Sequence, residues 1–249
     1  MTNVPVKSVR TTFSIVEALL DKNGATPAEL TDHLGLPKST IHDHLQTLAA
    51  DNYVINENGE YHVGLRFLDI GSRAREQTPL YQTAIAEVDD LAQATGEHVI
   101  LMSREQGLGV ILAIKEGEQA VSIDSHPGLH LRLHTTAMGK CILAHLPEDT
   151  REWVIDRYGL PAVTQETTVD VDELRAELEE IRKRGYGVDS SGEIEGIKCI
   201  ATSVFQDGEI VGSIGLCGPV NRIKGDYEDE MREELLQCAN VVEVSLNYS

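Results

Sequence analysis

The hydrophobic pattern of the first 50 residues predicts three amphipathic helices. In residues 8–22 apolar side chains repeat every three or four positions, so we expect a buried stripe of Val9, Phe13, Val16 and Leu20. Residues 26–34 begin with a capping box, in which Thr26 and Glu29 satisfy each other's backbone donors, and end before a glycine. In residues 37–50 isoleucine and leucine recur at helical spacing, and the opposite face is polar.

The second and third of these helices are separated by only two residues, which is typical of a helix-turn-helix. Two short β-prone runs then flank Asn58-Gly59, the strongest signal for a two-residue hairpin. Three helices followed by a hairpin predict a winged helix, with residues 1–75 forming a DNA-binding domain that includes the start of a linker helix.

The polar face of the third helix carries groups that can hydrogen-bond to base edges and phosphates. Asp43 on the same face repels phosphate and is left out of the predicted contacts. A merely solvated helix face is the alternative to a DNA-reading face. We expect the DNA-binding residues to be Lys38, Ser39, Thr40, His42, His44, Gln46, Asn58 and Arg66.

A linker helix is predicted over residues 65–77, with Leu65, Leu68 and either Ile70 or Ser72 on its buried side. A second domain, residues 76–249, then begins with a helix from Leu80 to Gly96 and continues into short apolar strands, namely HVILMS, GVILAI, QAVSI and HLRLHT. Further on, helices are predicted at 136–145, 147–158, 170–185 and 226–247, and strands at 186–189, 197–205 and 209–218. This order favours an α+β domain with an antiparallel sheet.

The net charge of −20 is unusual for a DNA-binding protein, which is ordinarily basic. Residues 1–75 hold seven Lys and Arg against nine Asp and Glu, whereas residues 76–249 hold 14 against 32. The acidity is therefore concentrated outside the predicted DNA-binding domain. An acidic surface that is poor in lysine favours a protein from a saline, haloarchaeal-type cytoplasm, where salt screens self-repulsion. An acidic protein that does not bind DNA is the alternative.

Several other classes of protein are disfavoured by the sequence. No apolar run approaches the roughly 20 residues that span a bilayer, and the first residues lack the apolar core of a signal peptide, so we expect a cytoplasmic protein without membrane contacts. The sequence contains no GxSxG, HExxH or phosphate-binding glycine loop, so we expect no enzyme and no cofactor. An enzyme that uses Asp189 and Cys199 is kept as a weaker alternative.

The four cysteines, at positions 141, 199, 217 and 238, lack CxxC spacing, which argues against a disulfide framework or a four-thiolate zinc site. Asp189, Cys199 and Cys217, together with His134, are chemically suited to zinc. Small buried cysteines on strands are more often part of the core, so no metal site is predicted.

Three ordered motifs together resemble the isocitrate lyase regulator (IclR) family of transcription factors, and the resemblance covers residues 8 to 247. They are GLPKSTIHDHLQTL, LHTTAMGKCILAHLP, and RKRGYGVDSSGEIEGIKCIATSVF leading to SIGLCGPVNRI. The resemblance implies a winged-helix N-terminal domain and a C-terminal, GAF-like α/β effector-binding domain. It also implies a homodimer or homotetramer on palindromic double-stranded DNA, with a small organic effector changing operator affinity.

The resemblance further implies an effector pocket. Its residues would be the backbone amides of Thr136, Ala137 and Met138, the acidic Asp189, and Cys199, Gly215 and Cys217. Positions 215 and 217 depart from the Ser–Ser pair of members that bind small carboxylates, which removes two hydroxyl donors. An organic acid, an aromatic compound and a sugar-derived metabolite all remain open as effectors. A GAF-like metabolite sensor that acts through protein contacts is the alternative function.

Overall fold

The computed structural model describes residues 5–248 and divides into two compact units, of which the first ends at Ala74 and the second begins at Arg75. The first unit contains three helices, a two-stranded hairpin and the start of a fourth helix. These elements are α1 (Lys7–Asp21), α2 (Pro27–Leu34), α3 (Lys38–Ala50), β1 (Val54–Glu57), β2 (Glu60–Val63) and α4 (Arg66–Glu76).

Local sequence signals account for both ends of α2. Thr26 Oγ1 accepts a hydrogen bond from Glu29 N, and Glu29 Oε2 accepts one from Thr26 N at 2.8 Å, so the capping box is formed. Gly35 ends α2 in the left-handed conformation with φ +65°. Buried Leu30, Ile41 and Leu45 join the helices around one core.

Two predicted helix faces in the first unit are wrong. On α1 the predicted Val16 is buried, but Val9, Phe13 and Leu20 are 51%, 54% and 62% exposed. The other buried side chains of this helix are Ile15, Ala18 and Leu19. Among the described residues of α4 none is buried, with Leu65 just before it 81% exposed and Leu68 63% exposed. Periodicity identifies an apolar face, but it does not say whether the same chain supplies a partner for that face.

The second unit is built on an antiparallel sheet flanked by helices. Its elements are α5 (Pro79–Thr95), β3 (His98–Glu105), β4 (Leu108–Glu116), β5 (His130–Arg132), α6 (Ala137–His145), α7 (Glu148–Tyr158), α8 (Val171–Arg184), β6 (Gly187–Ser190), β7 (Ile197–Gln206), β8 (Glu209–Pro219) and α9 (Asp226–Tyr248). The described strands pair antiparallel in the order β5-β4-β3-β8-β7-β6.

The sheet separates two hydrophobic cores. On β3, Val99 and Leu101 pack with α5 and α9, while Ile100 and Met102 face the core that contains α6. This alternation follows from the two-residue period of a strand. Because both faces are covered, the middle parts of β3 and β4 are continuous apolar runs of valine, isoleucine and leucine.

The segment between β4 and β5 corrects two strand predictions. QAVSI is not a strand, and within HLRLHT only His130–Arg132 is extended and paired. Beside β4 the paired strand is β5, which meets Leu108 to Val110, and QAVSI pairs with none of the described strands. Its backbone is bonded elsewhere, with Gln119 N donating to Gly96 O at 2.8 Å and Val121 O contacting the His98 ring. Across the described residues, no helix is both long and apolar enough to cross a membrane.

Candidate functional site

The outward face of α3 presents polar side chains over a fully buried inner face. Ile41, Leu45 and Leu48 are buried, as the periodicity predicts. Lys38, Ser39, His42 and Gln46 are exposed and Thr40 is half-buried, so these five predicted residues share one accessible surface. Thr47 on the same helix already donates its hydroxyl to Asp43 O at 2.8 Å.

His44 is placed differently from its predicted neighbours. It is half-buried, and its Nδ1 lies 2.8 Å from Thr12 Oγ1, so the ring is hydrogen-bonded to α1. Only the other ring nitrogen, Nε2, remains for any DNA contact. No sequence pattern indicates this pairing, because the two residues are 32 positions apart.

The hairpin tip carries charge that the sequence reading missed. Asn58 has φ +56° and Gly59 has φ +96°, as a tight two-residue hairpin turn requires. Glu57 and Glu60 pair directly across the hairpin next to this tip, so two carboxylates flank Asn58. Arg66 lies with its guanidinium 5.4 Å from the centroid of the Tyr53 ring. Phosphate contacts at the wing must therefore overcome local negative charge.

The second unit contains a cavity of about 50 Å³ between the sheet and α6, which is room for roughly three to five water-sized groups. Six of the residues that the resemblance implied line it, namely Thr136, Ala137, Met138, Asp189, Cys199 and Cys217. Gly215 lies beside them, because a Cβ at this position would come within 2.6 Å of Met138 Cγ and 3.1 Å of Cys199 Sγ. Residues from distant parts of the chain thus meet at one place.

The start of α6 forms one rim of the cavity. Thr136 is its N-cap, with Oγ1 accepting a hydrogen bond from Gly139 N at 2.9 Å. The first-turn amides of a helix have no intrahelical acceptor, and they give this end a partial positive charge. The amides of Ala137 and Met138 are therefore suited to an electronegative ligand atom.

Asp189 connects the cavity to an ion pair between buried Lys140 and half-buried Glu177. Lys140 Nζ lies 2.7 Å from Glu177 Oε2 and 3.5 Å from Asp189 Oδ1. Gly192 N donates to Asp189 Oδ2 at 2.8 Å. Burial raises the pKa of the Asp189 carboxyl above its usual value, and the Lys140 charge opposes that shift only in part.

Cys199 and Cys217 are directly opposite each other on β7 and β8. The hydrogen bond with Cys217, together with burial, raises the pKa of the Cys199 thiol well above its usual value, so both its proton and its apolar character are retained at neutral pH. His134 Nε2 is 3.1 Å from Pro161 O, and burial lowers the pKa of this ring. Among residues 5–248, no three His, Cys, Asp or Glu side chains are grouped to hold a metal ion.

Sequence reasoning missed the loops that complete the cavity wall. Ile123 and Ser125 come from the irregular segment after β4, and Glu193 and Ile194 come from the loop between β6 and β7. Loop residues carry no periodic signal, so their position became visible only with the fold.

A winged helix with an exposed polar α3, joined in one chain to an α/β unit with an internal cavity, defines the class of ligand-responsive transcriptional regulators. The IclR helix-turn-helix domain model matches residues 8–56, and the model described as bacterial transcriptional regulator IclR C-terminal matches residues 72–244. The chain therefore belongs to the IclR family, whose members combine a DNA-binding helix-turn-helix with a C-terminal effector domain.

Individual relatives agree with this assignment. The probable HTH-type transcriptional regulator ArcR of Halobacterium salinarum is 30% identical, covering 97% of this chain and 94% of that protein. The IclR structure from Thermotoga maritima has a TM-score of 0.82 at 26% identity, covering 97% of this chain and 99% of that one. These comparisons confirm the predicted α+β fold class with a winged-helix domain followed by an α/β domain.

A third comparison concerns a structure with a bound ligand. The IclR homologue from Microbacterium hydrocarbonoxydans, crystallised with 4-hydroxybenzoate, has a TM-score of 0.83 at 23% identity, covering 97% of this chain and 100% of that one. At this level of identity the likeness concerns the fold.

Proposed function

We propose that the protein binds a palindromic operator in double-stranded DNA through α3 and the hairpin, and that a small organic effector in the cavity changes this affinity. The observation that carries the proposal is the exposed polar face of α3 on a chain whose two units both match IclR models. The effector must bind one arrangement of the protein better than another, since equal binding shifts no equilibrium.

The DNA contacts are assigned to residues whose side chains are available. Ser39, His42 and Gln46 are exposed and suited to base edges, whereas Lys38 and Arg66 are suited to phosphates. Thr40, Asn58 and the free nitrogen of His44 complete the proposed set.

The effector contacts are assigned to the cavity wall described above, namely to Thr136, Ala137, Met138, Asp189, Cys199 and Cys217. Gly215 belongs to the proposed set because a side chain there would fill the space beside Cys199. The cavity is small, so a compact organic acid, aromatic compound or sugar-derived metabolite fits the proposal better than a bulky one. Binding rather than catalysis is proposed, because a protonated Cys199 thiol is a poor nucleophile.

A homodimer or homotetramer is part of the proposal. Two-fold related half-sites, one helical turn or a multiple apart, require two recognition helices. The first unit exposes apolar side chains that are available for contacts with a second copy of the chain, namely Val9, Phe13, Leu20, Leu65 and Leu68. Light scattering at several protein concentrations tests this, and a monomer at all of them contradicts it.

A saline cytoplasm is the proposed setting. Both the net charge of −20 with only 8 lysines and the likeness to a Halobacterium protein support it. The secondary-structure content should then increase with potassium chloride concentration, as followed by circular dichroism.

Gel-shift titration with DNA from upstream of the protein's own gene, in concentrated potassium chloride, tests the DNA-binding proposal. We expect a shift that unlabelled fragment competes away and unrelated DNA of equal length does not. If the protein binds no palindrome-containing fragment more tightly than unrelated DNA, the proposal is contradicted and the protein-contact alternative remains.

A further inference from the structure

Two carboxylates and no basic side chain line the cavity. Of the described residues on its wall, Asp189 and Glu193 are acidic, none is lysine, arginine or histidine, and most of the others are aliphatic or carry thiols. Lys140 lies behind Asp189, where its single positive charge is shared between Asp189 and Glu177. Glu193 adds a further negative charge, so the wall and its neighbours carry an excess of negative charge.

Glu193 has an oxygen that lacks a partner. Its Oε2 is shielded from solvent and accepts no hydrogen bond from any described residue. A buried carboxylate oxygen without a donor is unfavourable, because the hydration it loses is not replaced. A donor on a ligand in the cavity removes this cost, and an ammonium group does so with opposite charge as well.

The Asp189 carboxylate and the backbone next to Glu193 are held in position before any ligand binds. Thr167 Oγ1 donates to Gly192 O at 2.7 Å, and Gly192 N donates to Asp189 Oδ2 at 2.8 Å. Gly192 permits this close approach, because a Cβ at this position would lie 2.3 Å from Asp189 Oδ1. The loop that carries Glu193 is thereby fixed against Asp189, which reduces the ordering cost of binding.

We propose that the cavity selects a small organic amine, whose ammonium group contacts Glu193 and Asp189 and whose apolar body packs against Met138, Cys199 and Ile100. The inference rests on the proposed function of the cavity as the effector site and gives that site a ligand class. A plain carboxylate of equal size is attracted only by the first-turn amides of α6 and is repelled by both Asp189 and Glu193, so it binds less well. An aromatic or sugar-derived effector fits if it carries an amine.

A matched set of four-carbon probes tests the charge preference. Butylamine, butan-1-ol and butyrate share one chain and differ in the charge of the head group. Thermal unfolding of the full chain is followed in potassium chloride at constant ionic strength with each probe in turn. We expect the melting temperature to rise most with butylamine, less with butan-1-ol and least with butyrate.

Two glutamates of the same loop provide the variant and its control. Glu193→Gln should weaken apparent butylamine binding roughly tenfold or more, since it removes a charged acceptor, and should leave butan-1-ol binding unchanged. Glu195 is exposed and does not line the cavity, so Glu195→Gln should keep the preference of the parent protein.

The inference is overturned if butyrate raises the melting temperature as much as butylamine or more. It is also overturned if the preference for butylamine persists in Glu193→Gln, or if none of the three probes raises the melting temperature. Operator binding without ligand separates this failure from that of the proposed function. If the protein shifts its operator but shows no preference for the amine, only the proposed ligand class is contradicted. Loss of specific DNA binding in the parent protein removes the proposed function itself.

Discussion

The α3 face and the cavity differ in how the chain assembles them. The polar face of α3 comes from nine consecutive residues, Lys38 to Gln46, displayed by one helix over the buried Ile41 and Leu45. The cavity wall comes from β3, β4, β5, α6, β6, β7, β8 and two loops, and its residues are more than 100 positions apart at the extremes. A surface on one helix is determined by the spacing of polar and apolar residues along that helix, whereas a cavity depends on the whole sheet and the helices that cover it.

The same contrast appears in charge. The part of the chain that includes α3 is close to neutral, with seven basic against nine acidic residues in positions 1–75, whereas positions 76–249 carry 14 against 32. The first region can approach DNA without strong repulsion, and the second cannot. The acidity therefore separates a DNA-facing part from a part that is best kept away from phosphates.

The largest expected effect is on the core beneath α3. Leu45→Ala should destabilise the first unit by about 2–5 kcal/mol, because a fully buried leucine is replaced by a cavity. Gln46→Ala, one residue further along, should leave stability within about 0.5 kcal/mol, because its side chain is exposed. Urea unfolding of both variants measures this, and equal midpoints would show that α3 is not packed as described.

The next largest effect on stability is expected at two helical glycines, Gly71 in the first unit and Gly139 in the second. At Gly139 in α6 a Cβ would lie 2.2 Å from the backbone oxygen of Leu133, so Gly139→Ala should cost about 1–3 kcal/mol and displace the cavity rim. At Gly71 in α4 a Cβ meets nothing within 4 Å, so Gly71→Ala should stabilise by up to about 1 kcal/mol. Opposite signs in calorimetry support the packing of α6, and a neutral Gly139→Ala contradicts it.

Acidification should distinguish the cavity from the rest of the protein. Because burial raises the pKa of Asp189, its ionised form is disfavoured in the folded state, and the folded protein binds this proton more readily than the unfolded chain. Its contribution to stability therefore grows as the pH falls through the raised pKa towards the unfolded value of about 3.9.

Asp189→Asn removes that contribution. Over this pH range the stability of the parent protein should increase relative to the variant, as measured by urea midpoints in constant potassium chloride. Glu243, whose pKa burial also raises, is present in both proteins and cancels in the comparison. Parallel curves for the two proteins would mean that Asp189 is not desolvated.

The smallest expected effect is the salt dependence of DNA binding. Lys38 is the single Lys or Arg among the described residues of α3, and Arg66 is the other cation that we assign to a phosphate, so few phosphate charges should be neutralised. The slope of log affinity against log salt should be shallow, because each neutralised phosphate contributes about 0.9. A slope near ten would show that cations from elsewhere dominate binding.

Sequence patterns predicted the parts of this molecule that depend on neighbouring residues. The capping box at Thr26, the hairpin at Asn58-Gly59 and the inner face of α3 follow from local chemistry. Periodicity failed where the partner decides burial, as at Phe13 and Leu68. It also predicted a strand at QAVSI, whose backbone is instead bonded to Gly96 and the His98 ring.

The cavity was reached from the sequence only through the family resemblance. Cys199 and Cys217 are 18 positions apart, and only the register of β7 and β8 places them opposite each other. Glu193 was missed, because a loop glutamate gives no sequence signal until the fold places it on the wall. Asp189 and Met138 meet there because α6 packs against β6.

The ratio of operator to non-operator affinity tests the central claim most directly, namely that α3 reads the DNA sequence. Gln46→Ala should lower this ratio about fivefold to 150-fold for each half-site, since a good bidentate base contact contributes about 1–3 kcal/mol. Thr47→Ala is the matched control on the same helix, because that hydroxyl already donates to Asp43 O. A reduced ratio for Gln46→Ala alone, at unchanged melting temperature, is the expected result, and equal ratios for both variants and the parent protein would contradict the assignment of α3.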